Sequence, residues 1–144
     1  MTDSDYESVA DYIREKYTLA IGWGDIKPWL KWYYERKLLG VIRLDGVITG
    51  VAMVRFGDDE EQFDKDAYHT DPNGKICWVE MTCTSDPKSL AALIGLLISV
   101  WGVRERVAFH RGLKHSRISS FPFKFMARAA FKGLTMLQPT AKQL

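Results

Sequence analysis

The stretch of residues 75–111 reads as strand, abrupt turn, helix and strand, and no other segment limits the fold so tightly. Ile76 to Thr84 is dense in β-branched and aromatic residues and carries one carboxylate, Glu80, at its centre. The run breaks at Ser85-Asp86-Pro87, where Ser85 or Asp86 can cap a helix and Pro87 suits its first position. In the helix that follows, Leu90, Leu93, Ile94, Leu97, Ile98 and Trp101 share one broad apolar face, and Gly102 ends it. Residues 106–111 then alternate as a second strand. A right-handed crossover through the helix makes the two strands parallel neighbours or near neighbours. The helix start faces the space beyond the first strand's end, the usual ligand position in open α/β sheets.

Around this unit the remaining elements are short. Ser4 to Tyr17 has helical spacing of Tyr6, Val9, Ala10, Ile13 and Tyr17, with Ser4 and Glu7 in the pattern of a capping box. A second helix is expected from near Asp25, with Pro28 in its first turn, through Trp29, Trp32, Tyr33 and Tyr34. Those rings serve either as core and rim or as the wall of a ligand pocket. Two apolar runs flank Asp45-Gly46, a favoured two-residue hairpin turn. An acidic excursion follows, with room for one short helix from Asp59 to Ala67, and a last short helix is expected over residues 122–131. The resulting division is 1–37 N-terminal helices, 38–56 hairpin, 57–74 acidic excursion, 75–111 strand-helix-strand and 112–144 basic segment. All belong to a single α/β domain with a mixed central sheet and flanking helices.

At 144 residues, 47% hydrophobic and 26% charged, the chain is long enough to enclose one core and has the balance of a soluble protein. No apolar run reaches the roughly 20 residues of a membrane span. The acidic start, Met1 to Asp5, lacks the features of a signal peptide, and with Cys77 and Cys83 the expected setting is the reducing cytoplasm. On one regular strand these two cysteines share a face but lie too far apart for a disulfide. Among Cys77, Cys83, His69, His110 and His115 no close pair has ligand spacing, so no metal is expected.

The net charge of +2 hides a strong asymmetry. Asp58, Asp59, Glu60, Glu61, Asp64 and Asp66 crowd the excursion, while Arg104, Arg106, Arg111, Lys114, Arg117, Lys124 and Arg128 make the C-terminal third basic. That surface is either a solvated positive face or a dock for phosphates, nucleic acid or an acidic protein, with Phe121 and Phe123 available for stacking. The acidic excursion of one copy meeting the basic end of another would make an oligomer.

The order of elements, with Asp45-Gly46 in the hairpin and Trp78-Val79-Glu80-Met81 leading into the helix at Pro87, resembles the GNAT-type acyltransferase fold from Ser4 to Phe131. It is also similar to short divergent members of that fold found in phage genomes and, distantly, to toxin-activating lysine acyltransferases. The resemblance implies transfer of an acyl group from acyl-CoA or acyl carrier protein to an amine. In the family the helix after the central strand holds the donor's pyrophosphate through a glycine-containing loop. The segment here, Thr84-Ser85-Asp86-Pro87-Lys88-Ser89, has no glycine and sets Asp86 at the helix start.

The resemblance implies a donor site at Thr84, Ser85, Lys88 and Ser89, with Lys114 and Arg117 as anion contacts. Glu80 is the candidate base for the incoming ammonium, its pKa raised if it is buried, and His110 the candidate assistant. Glu80 has an alternative in a salt bridge to Arg43, Arg55 or Arg111, and His110 in an ordinary strand hydrogen bond. Cys83 is a transient acyl carrier or a small buried apolar residue. A non-catalytic reading, as an assembly component or nucleic-acid-binding module using residues 104–128, stands beside the enzymatic one.

Overall fold

In the computed structural model, residues 1–17, 20, 22–111, 117–122, 124 and 128 are described, with the backbone alone at 111 and 117–121. Helix α1 (Asp3–Lys16) is capped by Thr2, two residues ahead of the Ser4 cap read from sequence. Thr2 Oγ1 accepts from Asp5 N at 3.2 Å and Asp5 Oδ2 accepts from Thr2 N at 2.8 Å, a capping box of the same kind that gains part of a turn. These bonds hold the Asp5 carboxyl below its ordinary range, the backbone bond from Thr2 contributing most. Helix α2 (Lys27–Glu35) carries Pro28 in its first turn and buries Leu30 and Tyr33.

Strands β1 (Leu39–Leu44) and β2 (Val47–Gly57) form the hairpin, with φ of 53° at Asp45 and 79° at Gly46, as a tight primed turn requires. The acidic excursion holds α3 (Glu60–Lys65), capped by Asp59. Then come β3 (Ile76–Thr84), α4 (Pro87–Trp101) and β4 (Arg106–Arg111). A further strand, β5 (Arg117–Pro122), pairs antiparallel with β4 and was not foreseen. The helix expected over 122–131 falls almost wholly outside the described residues.

The chain forms a single α/β domain around one mixed sheet in the order β1-β2-β3-β4-β5. Among the described residues only the β3–β4 pairing is parallel, and those strands are adjacent, one of the two arrangements the crossover reading allowed. On one face α4 buries Leu93 and Leu97, although Leu90, expected in the core, is 40% exposed. Leu93 comes close because the sheet opposite is glycine: a Cβ on Gly50 would lie 2.8 Å from Leu93 Cδ1. The other face is covered by α1, α2 and α3, with Val9, Ile13, Tyr33 and Phe63 buried against it. Among the described residues no helix is long and apolar enough to cross a membrane.

One irregularity sets the geometry of everything that follows. Between β2 and β3, Met53 pairs with Met81 but Val54 pairs with Val79, so Glu80 is the extra residue of a bulge. The bulge reverses the strand's alternation. Cys77, opposite Phe56, lies on the α4 side near Arg104, while Cys83, opposite Val51, lies on the α1 side near Lys16. The shared face expected for the two cysteines is thus corrected: the inserted residue puts them on opposite faces.

Candidate functional site

Glu80 meets a guanidinium. Arg55, on β2 opposite Trp78 and only 1% exposed, donates from Nε at 3.2 Å and from a terminal nitrogen at 2.8 Å to Glu80 Oε2. The Trp78 indole N–H donates to the same oxygen at 2.9 Å. All three donors end on Oε2 and none on Oε1. Arg55 also donates to the carbonyls of Asp66 at 2.6 Å and Phe63 at 2.9 Å, tying α3 to the sheet. Of the three arginines that sequence allowed as partners, the one two residues past the bulge on the adjoining strand is used.

Trp78 links this pair to the second candidate. Its ring stacks on Phe63, with centroids 5.0 Å apart and planes 9° from parallel, and meets the His110 ring edge-on at 5.1 Å. His110 Nε2 lies 2.6 Å from Asp64 Oδ1, so a carboxylate of the excursion fixes the ring. Glu80 and His110 therefore lie on one face with the indole of Trp78 between them. Burial pushes the Tyr33 phenol up, and the neighbouring Glu80 charge adds to the rise.

At the same level the sheet opens. The parallel register between β3 and β4 runs only over Ile76–Arg106, Cys77–Val107 and Trp78–Ala108. Beyond Trp78, β3 keeps its pairing with β2 as far as Thr84, and β4 keeps its pairing with β5 as far as Arg111. From Val79 onward the β4-facing edge of β3 has no strand partner among the described residues. Backbone donors and acceptors on such an edge are free for an extended ligand.

The turn after β3 is differently occupied. Asp86 Oδ1 accepts from Ser89 N at 2.7 Å, taking a helix-start N–H that a phosphate would use. The buried Ser89 hydroxyl lies 2.9 Å from Thr49 Oγ1 and 3.2 Å from Asp86 Oδ2. Ser85 Oγ is 2.9 Å from the Tyr12 hydroxyl, Thr84 pairs with Gly50, and Lys88 is exposed. Lys114 lies outside the described residues, and Arg117 begins β5 opposite Arg111. Of the basic set, Arg104 acts as a clamp: it donates to the carbonyls of Pro72, Gly74 and Trp101 and lies over the Phe56 ring.

Glu80 also lines a cavity of about 320 Å³ with Tyr17, Trp23, Asp25, Ile26 and Trp29. The turn at 84–89 contributes none of these, being about five residues, roughly 17 Å, further along the strand. Trp29 was weighed from sequence as a pocket wall; Trp23 was not, and its only signal is an aromatic ring held between Gly22 and Gly24. Burial pushes the Cys83 thiol up to about 11, which leaves it a small apolar side chain. No group of three or more metal-ligating side chains occurs among the described residues. Compared with models of known protein families and with curated proteins, the chain matches none.

Proposed function

We propose that this chain is a GNAT-like acyltransferase that passes an acyl group from a pantetheine thioester to an amine. The observation that carries the reading is the parting of β3 from β4 at Trp78 and Ala108, beside Glu80. A pantetheine arm contains two amides and can lie along the free edge of β3 as a strand would. Its thioester would then end near the bulge. Asp86 occupies the helix start where the pyrophosphate of CoA would bind, which favours acyl carrier protein over acyl-CoA as donor.

In this reading Glu80 takes a proton from the incoming ammonium through Oε1 while Arg55 and Trp78 fix Oε2. The freed nitrogen lone pair attacks the thioester carbonyl, the adduct nitrogen gives up its second proton to water as the C–S bond breaks, and the thiolate leaves. His110, backed by Asp64, returns a proton to that sulfur. The test offers acyl carrier protein and acyl-CoA separately with a set of amines and follows free thiol and acylated amine. Thiol release is expected with at least one donor, and Glu80→Gln should slow it about 100-fold or more. No release with either donor, or an unchanged rate in a folded Glu80→Gln protein, overturns the reading and leaves the non-catalytic one.

A further inference from the structure

The cavity beside Glu80 has a composition that neither packing nor a pantetheine donor calls for. Two indoles and a phenol form its apolar walls: Trp23 and Trp29 meet at 5.6 Å and 87°, and Tyr17 lies 5.4 Å from Trp23. Two carboxylates, Asp25 and Glu80, complete it. Aromatic faces carry partial negative charge, so rings set edge to face around a space with carboxylates beside them attract an organic cation.

The charges around the cavity identify the class of cation further. Arg55 offsets Glu80, and the other carboxylate among the described lining residues is Asp25, whose Oδ1 accepts from the Lys27 backbone N–H at 3.0 Å; the pair suits one positive charge. Nearby cations are already engaged. Lys27 Nζ bonds Glu7 at 2.9 Å, and Arg14 donates to the Gly24 carbonyl at 2.9 Å and lies 3.7 Å from Asp11. Glu80 Oε1 and Asp25 can accept N–H bonds, while the indole faces accept an aliphatic stem. We infer that this cavity is a binding site for a primary alkylammonium ion.

The inference deepens the acyl-transfer reading by naming its acceptor class, and rests on it only for what the bound amine does next. The test is therefore binding without any acyl donor: a ligand-observed NMR titration with n-butylammonium, against n-butanol as a neutral control of similar shape. Saturable binding of the cation and not of the alcohol is expected. Trp23→Leu should weaken it about five-fold and Asp25→Asn about ten-fold. Trp23 is 41% exposed and Asp25 is exposed, so both variants should fold; Trp29→Leu provides a second aromatic wall to test. Equal binding of alcohol and cation, or full affinity in both Trp23→Leu and Asp25→Asn, overturns the site. Cation binding without thiol release supports it and removes only the acyl-transfer reading.

Discussion

Replacing Arg55 with methionine tests the side chain that ties Glu80 and α3 to β2. The change keeps most of the aliphatic stem but deletes four donated bonds, two to Glu80 Oε2 and one each to the carbonyls of Asp66 and Phe63. Breaking a buried ion pair from one side ordinarily costs about 3–5 kcal/mol. The Glu80 side chain is 27% exposed and keeps its bond from Trp78, so water relieves part of that penalty, leaving about 2 kcal/mol. Each stranded carbonyl adds about 1 kcal/mol. The expected loss is about 4 kcal/mol, a large part of the 5–15 kcal/mol that holds a typical domain together. Urea unfolding followed by far-ultraviolet circular dichroism measures it, with the slope checked for constancy. Because the guanidinium and the carboxylate depend on each other, Arg55→Met with Glu80→Gln should cost clearly less than the two single changes added together. A loss under about 1 kcal/mol for Arg55→Met, or strict additivity of the pair, refutes the account of this contact.

Three further outcomes follow from other parts of the fold. Burial pushes Cys77 up to about 12 and Cys83 up to about 11, from an ordinary 9.0. The unfolded chain loses these protons first as pH rises, so their contribution is complete below about pH 9 and disappears as pH climbs through the folded values. Urea midpoints should fall above pH 9 and fall less steeply in Cys77→Ala measured against its own neutral-pH value. Iodoacetamide at pH 8 should label both thiols only as fast as the protein opens; prompt labelling of Cys83 in the folded state contradicts its burial. A Cβ on Gly74 would overlap the backbone N, Cα and O of Gly57, all within 2.7 Å. Gly74→Ala should therefore cost about 2 kcal/mol or more by thermal or urea unfolding, and a neutral result shows that the two segments separate freely.

What could be read from the chain was whatever depends on neighbours in sequence. Asp45-Gly46 encodes its turn in the two residues that take positive φ, and Asp86-Pro87 encodes the start of α4 in a cap and a fixed φ. The parallel adjacency of β3 and β4 follows from chirality and a short crossover. The bulge at Glu80 depends on register between strands more than twenty residues apart, and no local pattern announces it. Missing it put Cys77 and Cys83 on one face, where the structure has them on opposite faces. It also left Arg43, Arg55 and Arg111 equal as partners for Glu80, since only the register singles out Arg55. The cavity escaped for a related reason: Tyr17, Trp23, Asp25 and Glu80 come from α1, the connection to α2, and β3, and the tertiary fold alone brings them together. β5 was missed because Arg117 to Pro122 is short and polar and becomes a strand by pairing with β4.

The bulge and the parting of the strands meet at one place, and the physics of each helps explain the other. An extra residue increases the local right-handed twist of its strand, so β3 turns away from its original course at Val79–Met81. β2 follows, because its register absorbs the insertion between Met53 and Val54. β4 is held instead by its own hairpin with β5 and by His110 against Trp78 and Asp64. The two strands therefore separate one residue beyond Trp78. An acid in the bulge turned toward the helices would be costly without a partner, and Arg55, Trp78 and the opening at the cavity together satisfy it. Glu80 is thus both the inserted residue at the parting of the sheet and a carboxylate that lines the cavity beside it. The ion pair with Arg55 is the contact that stabilises the inward turn of the bulge and, with it, the gap beside Trp78 on which the proposed reaction would rest.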